Sequence, residues 1–353
     1  MPTIKDVAEL AGVSVGTVSH VIAGTARVSE ATRARVEKAI RQLGYRPDPI
    51  ARSLKARRSR MIGMVISDIT NPFFSEIVRG AEDAVLERGY FLATYNTDDN
   101  LERERKLFEL FESWRVDGML VVTAVERGRR PHIEAALRGG TPVVCLDRRP
   151  SGLEADSVTV NNAEAVEEAI DYLSGLGYRR IAFVGGGPSM YVASDRLRGY
   201  RRAMKRLGLE PLDYCADFRV PGARQVALQA LSTAPRPEAV FAANILTAAG
   251  ILQGMRELGL RCPQDVALAT FDCVELLQSF GLQLTCVAQP TYQIGSEAAH
   301  LLMDRLEGKI DPSKPRHIVL RCELRPGEST PPRRAGLSPN AGKDENGQER
   351  RGA

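Results

Sequence analysis

Between residues 60 and 288 the chain carries eight short apolar runs rich in β-branched residues: MIGMVI, YFLATY, GMLVV, PVVCL, SVTV, RIAFV, EAVFAA and DVALAT. Most are separated by amphipathic segments such as FFSEIVRGAEDAVLERG and AEAVEEAIDYLSGLG. A strand that is apolar along its whole length needs cover on both faces, and strands that alternate with helices pair in parallel. The pattern predicts an α/β body of parallel sheets flanked by helices. About 265 residues is generous for one such sheet, so two lobes are expected, the first over 60–161 and the second over 162–288.

The first sixty residues have a different texture. Thr3 with Asp6 three residues later opens a helix that puts Ile4, Val7, Ala8 and Ala11 on one face, and Gly12 ends it. Ser14 can cap a second helix with Val18, Val21 and Ile22 inward, and Ser29 a third with Val36, Ile40 and Leu43 inward, ended by Gly44. Helix, tight turn and helix is the helix-turn-helix spacing. Residues 1–60 hold twelve Lys and Arg against five Asp and Glu, so this end carries +7 of a net charge of +4 and the rest sums to −3. A basic module on a near-neutral body points to a polyanion that binds the module alone.

In a helix-turn-helix the second helix enters the major groove. Its exposed positions are Val15, Gly16 and His20, which can offer only a methyl-sized contact, no side chain, and one imidazole to base edges. Ser14, Thr17, Ser19 and Ser29 are short hydroxyl donors suited to phosphates. A three-helix protein-binding module is the alternative for such a pattern. Asp48 and Pro49 then start the stretch IARSLKARRSR, a helix too short to persist alone, since isolated helices below roughly 12 residues are marginal. It would fold on DNA, or remain a flexible basic linker.

TIKDVAELAGVSVGTVSHVIAG, VSEATRARVEKAIRQLGYRP and IARSLKA together resemble the headpiece of the LacI/GalR family of bacterial transcriptional regulators. Within it, TIKDVA, TVSHVI and ARSLK are most similar to the headpiece of purine repressors. The resemblance continues to about residue 325. It implies an all-α helix-turn-helix headpiece over 1–46, a hinge over 47–59, and a ligand-binding and dimerisation domain over 60–325 that resembles the periplasmic sugar-binding proteins. It also implies that the chain crosses back after residue 288 to finish the first lobe with TYQIGSEAAHLLMDRLEG, so that lobe one takes 60–161 and part of 289–325, and lobe two 162–288. Paired hinge helices would enter the minor groove, with Leu54 wedged into a base step and Ala51, Arg52 and Lys55 beside it. Thr3 joins the expected DNA contacts.

Open parallel sheets bind ligands beyond the C-terminal ends of their strands. Those ends carry Ser67, Asp68 and Asn71, then Asn96, Asp98 and Asp99, then Thr123, then Asp147 and Arg148 in lobe one, with Asn244 and Asp272 in lobe two and Arg196 near a helix start. Carboxylates, amides and guanidiniums in one cleft suit a polyhydroxylated ligand, with Phe73 or Phe74 against an apolar ring face. The resemblance assigns effector contacts to Phe73, Asp147, Arg196, Asn244 and Asp272. Ile245 stands where family members commonly have an acid, and Thr270 where a glycine usually precedes the aromatic–Asp pair.

The remaining features narrow the class. The N-terminus MPTIKDVAEL has no apolar signal region and no apolar run reaches the ~18 residues of a membrane span, so a cytoplasmic protein is expected. Six cysteines without CxxC spacing and four scattered histidines suggest reduced, mostly buried thiols and no metal. The glycines at 185–187 lack the phosphate-loop ending, and although Cys145 beside Asp147, or a cysteine with His132, could form a nucleophile pair, nothing in the sequence places them together and no oxyanion element is evident, so no enzyme and no cofactor is expected. Trp114 reads as packing. The tail 326–353 is polar and rich in Pro and Gly, which predicts disorder, and it lacks leucine heptads, which favours a dimer and hence a palindromic operator on double-stranded DNA. The expected function is a ligand-responsive regulator, a repressor of carbohydrate uptake or catabolism genes with a sugar effector. A purine effector or a protein co-repressor is the alternative in the same class, and a sugar-binding transport protein the alternative in another.

Overall fold

A computed structural model describes residues 2–333 except 25–27, 46–58, 125–127, 151, 188–190, 275–280, 282 and 312. The expected hinge contacts Ala51, Arg52, Leu54 and Lys55 lie outside the described residues, as does the tail from residue 334. Two compact units are present, residues 1–60 and 61–353.

The first unit is three helices, α1 (Ile4–Ala11), α2 (Val15–Ala23) and α3 (Glu30–Leu43). Each starts on a hydroxyl that accepts the N–H three residues on: Thr3 from Asp6, Ser14 from Thr17 and Ser29 from Thr32. The Thr3 cap is reciprocal, since its own N–H donates to the Asp6 carboxylate at 2.7 Å. Gly12 and Gly44 close α1 and α3 at φ 62° and 59°, a left-handed conformation that costs a side-chain-bearing residue and glycine nothing. The small core is Val7, Ala8, Ala11, Val18, Val21, Val36 and Ala39, with Ile4, Ile22, Ile40 and Leu43 packed on its rim.

The second unit holds two six-stranded sheets. In chain order the strands are β1 (Met61–Ile66), β2 (Phe91–Asn96), β3 (Gly118–Val121), β4 (Val143–Leu146), β5 (Asp156–Val160), β6 (Ile181–Gly185), β7 (Leu212–Cys215), β8 (Ala239–Ala242), β9 (Ala267–Phe271), β10 (Thr285–Ala288), β11 (His317–Leu320) and β12 (Glu323–Arg325). The helices are α4 (Pro72–Glu87), α5 (Leu101–Trp114), α6 (Pro131–Arg138), α7 (Asn162–Gly175), α8 (Tyr191–Arg206), α9 (Val220–Ser232), α10 (Ile245–Glu257) and α11 (Thr291–Leu306). Sheet order is β11-β5-β4-β3-β1-β2 in lobe one and β12-β10-β9-β8-β6-β7 in lobe two. All pairings are parallel except β10 with β12.

The continuous apolar runs are explained by cover on both faces. Ile62, Met64 and Ile66 of β1 join one core layer, while Val65 joins Phe108, Phe111 and Met119 in another. Each such side chain contributes about 1.5–3 kcal/mol when fully buried. α11 docks against α4 with backbones almost in contact, because a Cβ on Gly80 would meet the Tyr292 carbonyl at 2.0 Å and one on Gly295 the Ile77 carbonyl at 1.9 Å. Arg305 anchors α11 to the start of β5 through a bidentate pair with Asp156, 2.7 Å at both oxygens.

The chain passes between lobes after β5, after β10 and again between β11 and β12. The strands β7, β10, β11 and β12 are not among the eight apolar runs; β7, β11 and β12 lie at sheet edges, where part of each strand is exposed and polar residues are tolerated. The expectation of disorder from residue 326 is wrong for 326–333. Ser329 and Thr330 are buried, Thr285 N–H donates to Ser329 Oγ at 2.8 Å, and Arg333 N–H donates to the Leu176 carbonyl at 2.8 Å. Polar composition concealed this because these residues satisfy buried backbone groups rather than filling a core. A second correction concerns the cysteines: Cys273 and Cys286 form a disulfide, while Cys145 and Cys322 are buried, Cys262 half-buried and Cys215 exposed. No local spacing marks that pair, since a turn beyond β9 creates the juxtaposition.

Candidate effector cleft and DNA-binding face

The strand ends of the two lobes line a cleft of about 600 Å³, open solvent at its mouth included. From lobe one it receives Ser67, Asp68, Asn71, Phe73, Phe74, Asp99, Asp147 and Arg148. From lobe two come Val192, Arg196, Asp217, Phe218, Arg219, Asn244, Leu246 and Asp272, with Gln289 at the crossing between lobes. All five expected effector contacts are therefore brought together.

Asp147 and Asp272 occupy matching places. Each follows a central strand in a left-handed turn, φ 61° and 71°. Each N–H donates at 3.0 Å to the neighbouring strand, Asp147 to Val158 and Asp272 to Val287. Both carboxyls are held above the usual range by burial. For Asp147, Arg148 and Arg196 oppose that shift and Asp272 and Asp99 reinforce it. For Asp272, Arg196, the Gln289 amide and the Ile245 N–H oppose it.

Arg196 is 3% exposed and fixed on three sides. Its Nε donates to Asn162 Oδ1 at 2.7 Å, its Nη1 donates to the Ala243 carbonyl at 2.5 Å, and its guanidinium lies 3.6 Å over the Phe271 ring. Burial alone pulls its pKa down, and Asp272 and Asp147 push it back. A guanidinium stays charged through such a shift, so it is a rigid cation between two carboxylates. Arg148 is similarly tied, to Asp99 at 2.5 Å and the Thr123 carbonyl at 2.9 Å.

Asn244 has a second duty, since its Oδ1 caps α10 by accepting the Thr247 N–H at 2.8 Å and its Nδ2 donates to the Phe218 carbonyl at 3.4 Å. Ile245 packs into the outer core of lobe two, and Thr270 is buried on β9 with its hydroxyl donating to the Phe271 carbonyl at 2.7 Å. Neither side chain lines the cleft. Asn96, Asp98 and Thr123 do not line it either: Asn96 Oδ1 accepts the Ile69 N–H, Asp98 accepts from Arg103, and Thr123 is buried against Glu104.

Phe218 and Gln289 were missed in the sequence for one reason. Each follows a strand, β7 or β10, that carries no continuous apolar run, LDYC holding an acid and TCVA opening on a threonine and running into Gln289, so the ends of those strands could not be located. Gln289 Nε2 donates to Asp272 Oδ1 at 2.5 Å, and its Oε1 is buried with no hydrogen-bond partner among the described residues. An acceptor left over at the cleft wall suits a ligand hydroxyl.

Cys145 is buried, and burial pushes its thiol up to about 12. His132 instead meets Glu104 at 2.6 Å. Trp114 lies outside the cleft, its ring 6.0 Å from Tyr95 and 6.4 Å from Phe111. Among the described residues no His, Cys, Asp and Glu cluster could hold a metal, and no helix is long and apolar enough to cross a membrane.

In the first unit, Val15, Gly16 and His20 are exposed along α2. The starts of α2 and α3 face a common groove lined by Val13, Ser14, Thr17, His20, Val28, Ser29 and Thr32. Ser14 meets Thr17 at 3.0 Å and Ser29 meets Thr32 at 2.9 Å, hydroxyl to hydroxyl, so two helix N-termini present paired hydroxyls to one groove. Helix N-termini with such donors favour phosphate. Thr3 lies outside that groove, occupied in its cap, and Ser19 is half-buried on α2.

Residues 3–48 match the model of bacterial regulatory proteins of the lacI family, and residues 170–330 match that of the periplasmic binding protein-like domain. The ribose operon repressor of Escherichia coli K12 is 40% identical over 310 residues, 87% of this chain and 93% of its own length. The belonging is decided by that match.

The chain belongs to the LacI family.

The HTH-type transcriptional repressor CytR of the same organism is 36% identical, covering 91% of this chain and 94% of its own. The structure of the transcriptional regulator CelR–cellobiose complex superposes with a TM-score of 0.70 at 34% identity, covering 93% of this chain and all of the other. This LacI-family chain is a ligand-responsive, sequence-specific DNA-binding transcriptional regulator, with a helix-turn-helix headpiece and a two-lobed α/β body.

Proposed function

We propose that this regulator is a homodimeric repressor of carbohydrate uptake or catabolism genes whose effector is a sugar held in the cleft. The observation that carries this is the row of buried Asp147, Arg196 and Asp272 with half-buried Gln289, donors and acceptors with fixed positions, flanked by Phe73 from one lobe and Phe218 from the other. Vicinal hydroxyls are donors and acceptors at once and match such a row, while a ring face of C–H groups suits the aromatics. The similarity to a ribose operon repressor and to a regulator bound to cellobiose supports the same class.

In this proposal Phe73, Asp147, Arg196, Asn244 and Asp272 hold the effector. Ser14, Thr17, Ser19 and Ser29 contact phosphates, Thr3 joins the DNA contacts, Val15, Gly16 and His20 meet base edges, and Ala51, Arg52, Leu54 and Lys55 act in the minor groove. Because each lobe supplies part of the ligand's contacts, binding favours one lobe arrangement, and DNA affinity changes by the ligand's differential affinity for the two states. A dimer implies a palindromic operator on double-stranded DNA.

The test is melting-temperature screening of the full chain against sugars, sugar acids, sugar phosphates and purines. A ligand that binds only the folded state must raise the melting temperature. A neutral sugar should do so and alter a gel shift with the gene's own upstream region; a rise with purines alone would transfer the site to the purine class.

A further inference from the structure

Although Asp147 and Asp272 share the same turn and the same strand-to-strand hydrogen bond, the lobes secure them differently. In lobe one the residue after the turn is Arg148, tied to Asp99 and Thr123. In lobe two it is Cys273, whose sulfur is bonded to Cys286 on β10 with a Cα separation of 5.5 Å. Cys286 pairs in register with Thr270, and its neighbour Val287 accepts the Asp272 N–H. The left-handed turn at Asp272 carries Cys273 back over β10, so bridge and turn depend on each other. Gln289, which orients the Asp272 carboxylate, lies three residues beyond Cys286.

A regulator bound to DNA works where thiol buffers keep most cysteines reduced, and disulfides in such surroundings are usually transient, catalytic or redox-sensing. We propose that Cys273 and Cys286 are a reversible thiol–disulfide site whose state sets how firmly lobe two holds Asp272 at the cleft. The site does not depend on the effector; only its effect on affinity rests on the carbohydrate proposal.

The chemistry is exchange with a low-molecular-weight thiol. Its thiolate attacks Sγ of Cys273, the more accessible of the two since Cys286 is 6% exposed and Cys273 half-buried. The S–S bond breaks as a mixed disulfide forms on Cys273, Cys286 leaves as a thiolate and takes a proton, and a second thiolate attacks the reductant's sulfur, freeing Cys273 as a thiol and carrying off the reductant as its own disulfide. The pair gains two electrons and two protons in all. A disulfide oxidant of the same class runs the sequence backwards. With the bridge open, only the hydrogen bonds hold the turn, and local opening at Asp272 becomes easier.

The test compares the full chain after the thiol oxidant diamide and after dithiothreitol. Non-reducing peptide mapping should find Cys273 joined to Cys286 in the first state and both alkylated in the second. On reduction the Asp272 amide should exchange with deuterium about tenfold faster, as expected when a local opening is eased. The Asp147 amide, making the same bond in lobe one, should not change. D-Ribose, used as probe, should bind about fivefold more weakly to the reduced chain, the low end of coupling between linked sites. The double variant Cys273→Ser/Cys286→Ser should behave as the reduced chain under both treatments.

Failure of the bridge to form, or equal Asp272 exchange in both states, overturns the proposal, as does a double variant that still responds to oxidant. If D-ribose binds neither state, that counts against ribose as the effector, and the exchange comparison still decides the site.

Discussion

Asp272→Asn separates the electrostatic role of this residue from its backbone role. Asparagine tolerates the left-handed turn at φ 71°, so the fold around it should persist. Its amide oxygen can still accept from Gln289 or from the Ile245 N–H, but it cannot carry charge opposite Arg196. A hydrogen bond to a charged group is worth about 1.5–3 kcal/mol net. At about 1.4 kcal/mol per tenfold, the sugar found by melting-temperature screening should bind roughly 10- to 150-fold more weakly. Operator binding without sugar should stay within about twofold, since no DNA-contacting residue is altered and substitutions at sites sharing no partner act independently to within ~0.5 kcal/mol.

The same substitution has a pH signature. The Asp272 carboxyl is raised by folding, so the folded state binds more protons in the interval above 3.8. Its contribution to stability is therefore greatest at low pH and falls as pH rises through that interval. Removing the titration should raise the melting temperature of the variant relative to the parent as pH goes from about 4 to about 7. Titration calorimetry and pH-dependent melting give the two readouts. Wild-type sugar affinity would refute contact with the effector, and a melting difference flat in pH would refute the buried carboxylate as a cost.

Arg196→Ala leaves Asn162 Oδ1 and the Ala243 carbonyl without their donor, which should cost about 1–3 kcal/mol of stability for each buried acceptor left unsatisfied and abolish the sugar response while operator binding survives below the melting point; an undiminished response would take Arg196 out of the site. Gly295→Ala places a methyl group 1.9 Å from the Ile77 carbonyl, so α11 and α4 must separate. Overpacking of this kind costs about 1–3 kcal/mol, and an unchanged melting temperature would contradict the close helix contact. Leu54→Ala should lose much of the specific operator affinity and leave non-specific binding nearly intact; equal loss of both would refute the wedge. For the parent chain log affinity should fall steeply with log salt, because phosphate contacts release counterions, and a flat dependence would contradict a phosphate-dominated interface.

Much of this molecule was legible in its sequence wherever the signal was local. Thr3, Ser14 and Ser29 announce three helix starts because a cap is made within three residues of itself, and the inward faces of α1 to α3 follow from the helical period. The eight apolar runs correspond to β1 to β6, β8 and β9, because a strand covered on both faces must be apolar throughout. The polar residues following several of those strands were therefore also visible, which located Asp147, Asn244 and Asp272 at one end of the sheets. Phe73 and Arg196 stand near helix starts rather than at strand ends, and the family resemblance assigned the effector role to all five.

What only the tertiary structure decided depends on pairing between distant segments. The short strands β7, β10, β11 and β12 hold their places through neighbouring strands rather than through their own composition, so Phe218 and Gln289 at the ends of β7 and β10 could not be placed. Arg196 is fixed by Asn162, Ala243 and Phe271, and residues 326–333 are ordered by β9, β10 and the end of α7, contacts that no local pattern encodes. The Cys273–Cys286 bridge has the same origin. Caps and periodicity are free energies of a few adjacent residues, whereas these juxtapositions exist only after the chain has passed between the lobes and chosen its strand order.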